Sequence, residues 1–281
     1  MHPKQLLANY NLQPKKSLGQ NFLYDENLLA QIAGWAELTG RDEVLEIGAG
    51  LGALTKQLAA RARRVVVVEV DDRFWPILQD ELLAFNNVSL HHGDILEQDI
   101  AALCPDSYKV VANVPYYITG AILRHVLGAA QKPSLMVLTV QKEVAERLTA
   151  VPPHMSLLAV SVQYYGQTEL LKTVKAGAFW PRPDVDSAVV RIDLTSGSGP
   201  LWDPQAEKQF FKIVRAGFSQ KRKQLQKNLR QLGLSKTESA NLLERVGIDG
   251  RRRAETLTIA EWRAIAASPQ LATISQVDKP R

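Results

Sequence analysis

The segment from Glu43 to Glu69 constrains the fold more than any other stretch of the chain. Glu43-Val44-Leu45-Glu46-Ile47 has the length and apolar content of a buried strand. It runs into Gly48-Ala49-Gly50-Leu51-Gly52 before a helical pattern through Leu54, Leu58 and Ala59. Val65 to Val68 then makes a second apolar run that ends in Glu69. Strand, glycine turn, helix and strand form a βαβ unit, whose right-handed crossover places the two strands parallel in one sheet. Glycine at the turn lets a ligand approach the backbone, and the helix N-terminus offers unpaired N–H groups to a carboxylate or phosphate. A carboxylate about twenty residues beyond the loop is placed to accept from ribose hydroxyls. The loop alone fits a structural tight turn as well as a nucleotide-like cofactor, and Glu69 tips the balance to the cofactor.

Two later strands separate a hydride-transfer site from the alternative. Val88-Ser89-Leu90-His91-His92 ends in Gly93-Asp94, an acidic tip suited either to the amino group of a cofactor adenine or to capping a turn. Tyr108-Lys109-Val110-Val111-Ala112 ends in Asn113-Val114-Pro115-Tyr116. That series is unlike a nicotinamide site and resembles the class I S-adenosylmethionine-dependent methyltransferases. The resemblance implies a loop beneath the methionine part, Glu69 on the ribose and Asp94 on the adenine. In open α/β sheets ligands bind outside the carboxyl ends of the strands, which is where all these residues fall.

Asn-x-Pro-Tyr suits one chemistry in particular. A flat purine lying on Tyr116 can donate both N–H bonds of its exocyclic amine to the Asn113 oxygen and a nearby backbone carbonyl. Accepting both protons favours the pyramidal amine, whose lone pair can attack an electrophilic methyl. Guanine or uracil would present a carbonyl to the same acceptors, and each acceptor left buried and unpaired costs on the order of 1–3 kcal/mol. A plain strand-to-helix turn is the competing reading of the tetrapeptide taken alone. Phe179, in the proline-stiffened stretch Phe179-Trp180-Pro181-Arg182-Pro183-Asp184, is suited to cover the purine from the side opposite Tyr116, with core packing as the rival role.

Residues 1–20 are expected to form a flexible polar arm leading to a fixed lip at Gly19-Gln20-Asn21-Phe22-Leu23, followed by a helix capped by Asp25. Helices are expected over Ile118–Leu127, Gln141–Leu148 and, less distinctly from a strand, Leu157–Tyr165. Strands are expected over Leu135–Val140, Leu170–Val174 and Val185–Leu194. Ser196-Gly197-Ser198-Gly199-Pro200 reads as a linker. It divides an α/β, Rossmann-like cofactor-binding domain, residues 1–199, from a smaller all-α domain, residues 200–281. Charge divides there too: from Asp203 onward there are 16 Lys and Arg against 8 Asp and Glu, whereas the preceding residues carry 18 against 21. Lys221-Arg222-Lys223 and Arg251-Arg252-Arg253 are the densest basic clusters and suit a polyanionic partner such as RNA. No apolar run approaches the roughly 20 residues of a membrane span. The lone Cys104 excludes an internal disulfide, and five scattered histidines have no metal-ligand spacing. A cytoplasmic, metal-free monomer is expected.

Taken together, Gly19 to Leu23, Leu45 to Gly52, Asn113 to Tyr116, Val140-Gln141-Lys142-Glu143, Val185 to Val190, Phe218 to Lys223 and Arg253-Ala254-Glu255-Thr256-Leu257 resemble the bacterial small-subunit ribosomal RNA adenine dimethyltransferases, the KsgA/RsmA family. The resemblance implies transfer of four methyl groups from S-adenosylmethionine to N6 of two adjacent adenosines. These lie in a hairpin loop near the 3′ end of 16S rRNA, in the pre-30S particle. By matching motif, Asn21, Leu23, Gly48, Gly50, Glu69, Asp94 and Asn113 would contact the cofactor. Asn113, Pro115, Tyr116 and Phe179 would form the catalytic corner around a flipped base, and Lys221, Arg222, Lys223, Arg251, Arg252 and Arg253 would contact RNA. Two departures stand out: Thr119-Gly120-Ala121 lacks the family's proline, and the stretch Val151 to Ser156 is short. The rivals are a large-subunit rRNA adenine dimethyltransferase, a non-catalytic RNA-binding factor on the same fold and, more distantly, a DNA adenine methyltransferase.

Overall fold

The computed structural model describes residues 1–195 and 204–272. The expected linker and the 199/200 boundary lie outside the described residues. The chain divides into two compact units, one of residues 1–146 and 166–195 and the other of residues 147–165 and 204–272.

In the first unit the strands are β1 (Phe22–Leu23), β2 (Glu43–Ile47), β3 (Arg64–Glu69), β4 (Val88–His92), β5 (Tyr108–Asn113), β6 (Leu135–Gln141), β7 (Gln167–Val174), β8 (Phe179–Trp180) and β9 (Ser187–Asp193). Among the described residues, seven of them form one sheet in the order β4-β3-β2-β5-β6-β9-β7, with β1 and β8 pairing separately. The pairs among β2 to β6 are parallel, whereas β9 runs antiparallel to both β6 and β7. Helix α1 (Pro3–Asn9) precedes β1, and α2 (Glu26–Trp35), α3 (Ala53–Ala59), α4 (Trp75–Glu81), α5 (Ile100–Leu103) and α6 (Thr119–Gly128) lie between successive strands. All of β2 is buried, Glu43 and Glu46 included, as a central parallel strand covered on both faces requires. The order reverses between β2 and β5, so the chain leaves the ends of these neighbours in opposite directions and opens a crevice there.

The flexible arm expected over residues 1–20 is corrected by the structure. Pro3–Asn9 is helical, capped by the His2 side chain accepting from the Lys4 N–H, and it buries Pro3, Leu6 and Leu7. An apolar pair followed by a turn is too short to show periodicity, yet Leu7 is 1% exposed once it joins the core. The stretch expected as a loop at Phe179-Trp180 is a short strand against β1, with Leu23 opposite Phe179 and Phe22 opposite Trp180. The start of α6, which lacks the family's proline, is held by Thr119: its hydroxyl donates to the carbonyls of Pro115 and Tyr116 at 3.4 and 3.3 Å.

After α7 (Lys142–Leu148), the second unit holds α8 (Leu157–Gln163), α9 (Pro204–Gly217), α10 (Leu225–Leu229), α11 (Lys236–Arg245), α12 (Ile259–Ala266) and α13 (Pro269–Ala272). The ambiguous stretch after Ser156 is a helix because the Ser156 hydroxyl caps it, accepting from the Ala159 N–H at 3.0 Å. Its end packs on α9, with the rings of Tyr164 and Phe210 4.3 Å apart. Trp262 is fully buried beside Gly217, where any Cβ would come within 2.3 Å of the indole.

Candidate active site

A cleft of about 320 Å³ opens at the carboxyl ends of β2, β3 and β5 in the first unit. The lip residues Asn21 and Leu23, the loop residues Gly48 and Gly50, and Glu69 all face it, as do Asn113, Pro115 and Tyr116 from the far side. Elements far apart in sequence thus bring these sequence-predicted residues to one place. Asp94 and Phe179 are not among the lining residues. Asp94 follows β4 and uses Oδ1 to accept from the Leu96 N–H at 2.9 Å, the capping role left open above. Phe179 is 2% exposed and belongs to the hydrophobic core with Leu23 and Phe22, the packing role left open above.

All three glycines of the loop have left-handed backbone, Gly48 at φ +75°, Gly50 at φ +57° and Gly52 at φ +78°. Their surroundings differ. Nothing lies within 4 Å of a Cβ built on Gly48, so that face is open to a ligand, whereas one on Gly50 would meet the Phe22 ring at 3.1 Å. Gly50 therefore also lets β1 cross close above the loop. Its N–H donates to Glu69 Oε2 at 2.8 Å, and the Asp71 N–H donates to Oε1 at 2.9 Å, which fixes the carboxylate at the strand tip. Burial raises the Glu69 pKa, and the two N–H donors oppose that shift.

Glu46 has no role in the sequence reading beyond its place before the loop. It is 1% exposed, lines the cleft and keeps Oε2 without a hydrogen-bond partner. Burial, with the nearby Glu69 charge adding to it, pushes its pKa up to about 8. A carboxyl so desolvated gains most from a cationic or N–H donor arriving in the cleft.

At the opposite wall the Asn113 Nδ2 donates to the Asn21 carbonyl at 3.1 Å, and Asn21 Nδ2 donates to the Gly19 carbonyl at 3.1 Å. That use of its nitrogen orients the Asn113 amide and leaves its oxygen as an acceptor. The Tyr116 hydroxyl and Ser187 Oγ are 2.6 Å apart, with Ser187 fully buried at the start of β9. Burial raises the Tyr116 pKa. Ser187 belongs to the Val185–Val190 stretch, and only pairing across the sheet brings it to Tyr116.

The basic clusters have unequal surroundings within the second unit. Lys221, Arg222 and Lys223 are exposed, with no side-chain ion pair among the described residues, and the turn they occupy is pinned by Asn228 Nδ2 donating to the Gly217 and Gln220 carbonyls. Arg251 and Arg253 are exposed and pair with Asp249 and Glu255. Arg252 is half-buried, paired with Glu261 and bonded to Thr256, so it fastens the turn to α12. Among the described residues no helix is long and apolar enough to cross a membrane, and no His, Cys, Asp and Glu cluster could hold a metal.

The model of one family, ribosomal RNA adenine dimethylase, matches residues 11–270. The chain belongs to the ribosomal RNA adenine dimethylase family. Relatives named ribosomal RNA small subunit methyltransferase A include one from Dehalococcoides mccartyi, 43% identical over 93% of this chain and 90% of its own length. Another, from Geobacillus thermodenitrificans, is 44% identical over 94% and 93%. Among solved structures, a 23S rRNA methyltransferase, ErmE, superposes with a TM-score of 0.73 at 28% identity, covering 88% of this chain and 98% of that one. A dimethyladenosine transferase from Plasmodium falciparum shares the fold with a TM-score of 0.72 at 24% identity, covering 87% and 95%.

As a ribosomal RNA adenine dimethylase the protein is an S-adenosylmethionine-dependent methyltransferase acting on adenines of rRNA. The residues present fit that cofactor. The orphaned oxygen of Glu46 suits an α-ammonium, the open face of Gly48 leaves room for the chain between sulfur and ribose, and Glu69 retains lone pairs for ribose hydroxyls.

Proposed function

We propose that this protein dimethylates N6 of two adjacent adenosines in small-subunit rRNA, in a hairpin loop near the 3′ end of 16S rRNA within the pre-30S particle. It works as a monomer in the bacterial cytoplasm, where that particle assembles. S-adenosylmethionine supplies an electrophilic methyl carbon. Asn21, Leu23, Gly48, Gly50 and Glu69 hold its methionine and ribose parts, and Asp94 takes its adenine from the end of β4. The target adenine is flipped onto Tyr116. Asn113 Oδ1 and a carbonyl of the Asn113–Pro115 turn accept the two N6 protons, raising the nitrogen's readiness to attack in line. Pro115 shapes that turn, and Phe179 backs the opposite wall through the β1–β8 pair. The proton leaves after the nitrogen has become cationic, so no side chain need act as a general base.

The observation that carries this reading is the Asn113 amide, whose nitrogen is committed to the lip and whose oxygen is left to accept beside an aromatic ring. Identity of 43% to small-subunit relatives, against 28% to ErmE, supports the small-subunit branch. In the second unit, Lys221, Arg222, Lys223, Arg251 and Arg253 contact phosphates, with Arg252 bracing them. The basic residues of the 200–281 domain give affinity and orientation rather than sequence reading.

The test is methylation of purified small- and large-subunit precursor particles with labelled S-adenosylmethionine. Label in the small-subunit rRNA alone supports the proposal. Label confined to the large-subunit rRNA assigns the chain to the large-subunit branch instead.

A further inference from the structure

Asp71 lies two residues beyond Glu69, is 2% exposed, and is the hub of a cluster that the reaction as described does not use. Its Oδ2 accepts from Gln20 Nε2 at 2.8 Å and from Arg73 Nη2 at 2.6 Å. Oδ1 accepts from Arg73 Nε at 2.8 Å and the Arg73 N–H at 3.3 Å, with Lys15 Nζ 3.7 Å away. Burial works against the Asp71 charge, but the bonds from Arg73 and Gln20 outweigh it and hold the carboxyl down to about 2. It stays an acceptor at every working pH.

Gln20 is the other half of the fastening, because its Oε1 accepts from the Lys15 N–H at 2.7 Å while its nitrogen reaches Asp71. Arg73 Nη1 adds a bond to the Gln13 carbonyl at 3.3 Å. The stretch from Lys15 to the lip residue Gln20 is thereby tied to the tip of β3. The next residue, Asn21, supplies the carbonyl that orients the Asn113 amide. At the other end, the Asp71 N–H donates to Glu69. One continuous set of bonds thus runs from the carboxylate at the ribose position, through Asp71 and Gln20, to the amide at the target base.

We infer that Asp71 and Gln20 are positioning residues: they latch the lip so that Asn21 holds Asn113 in its accepting orientation. This deepens the proposed function and rests on its assignment of Asn113. Asp71 lies outside the cleft and Gln20 is at its rim, where its side chain is committed to Lys15 and Asp71; neither is assigned a part in the chemistry. A displacement of about 1 Å at an acceptor can cost up to about a hundredfold in rate, so loss of the latch should appear in the transfer step and not in particle affinity.

The test exchanges donor and acceptor. Asp71→Asn removes the carboxylate, and Gln20→Glu alone sets a second carboxylate against it. The double variant restores one carboxylate and one amide with the same net charge beside Arg73. Two quantities are measured on all four proteins: single-turnover methylation of small-subunit particles at saturating S-adenosylmethionine, and tryptic cleavage after Lys15 and Lys16, both exposed, in the free protein. Each single variant should transfer about tenfold more slowly, with particle affinity within about threefold, and be cut several-fold faster at the lip. The double variant should return both readouts to within about threefold of wild type. Single variants that transfer at the wild-type rate, or a double variant no better than the worse single one, overturn the inference. If wild type leaves small-subunit rRNA unmethylated, the functional reading fails instead. The cleavage series still decides the latch: unrestored cleavage in the double variant refutes it.

Discussion

Tyr116 holds its ring in place by two means, burial and the bond between its hydroxyl and Ser187. Removing the hydroxyl tests the second without losing the stacking face. Tyr116→Phe should slow methyl transfer by about three- to tenfold, the worth of one hydrogen bond. Tyr116→Ala should slow it by about ten- to a hundredfold, because base stacking on an aromatic contributes more. Rapid-quench measurement of single turnovers separates the two. Glu46 makes a different prediction, about stability. Its folded pKa near 8 lies above the ordinary value of 4.5, so the native protein keeps a proton that the unfolded chain releases between these values. Stability of the ligand-free protein should therefore fall as pH rises from about 5 to 8. The Glu46→Gln variant should lose less over that span, by about 4 kcal/mol at most. Urea titrations of both proteins at the two pH values measure it, and parallel losses would refute the assignment.

The paired strands β1 and β8 show how much of the fold could be read in advance. The central strands, the glycine loop and the acidic strand tips announce themselves because each is a contiguous apolar run with its own turn residues, and the crevice at their ends follows from the alternation of strand and helix. β1 and β8 are two residues each and exist only through each other, across more than 150 positions of chain, so no local pattern marks them. For the same reason the sequence left Phe179 between stacking and packing. The pairing puts it under the lip, and Ser187 reaches Tyr116 through the same long-range folding. Packing at Phe179 has a direct consequence. Phe179→Ala should lower stability by about 3–5 kcal/mol through the cavity it leaves, and Phe179→Leu by much less. Thermal unfolding checks this: a variant with Ala that melts like wild type would show that the ring is not part of the core.

For the molecule as a whole, charge is divided between the two parts of the chain, with the excess of Lys and Arg after Asp203. Phosphate contacts release counterions, so particle binding should weaken steeply as salt rises. Replacing Lys221, Arg222 and Lys223 together by Ala should flatten that salt dependence by about two to three units of slope and leave S-adenosylmethionine affinity unchanged. Filter binding across a salt series gives the slope, and an unchanged slope would remove this turn from the RNA contact surface. Arg252→Ala should act chiefly on stability, since its partners are Glu261 and Thr256. Asn113 is proposed to grip the amine of an adenine for methyl transfer. Mass spectrometry of nucleosides from small-subunit rRNA, after incubation of unmethylated particles with S-adenosylmethionine and either wild type or Asn113→Ala, tests it most directly. N6,N6-dimethyladenosine is expected with wild type and at least about a hundredfold less with the variant, which should still bind S-adenosylmethionine nearly as well. Equal dimethyladenosine from the two proteins, or methyl groups on a different nucleoside, would contradict it.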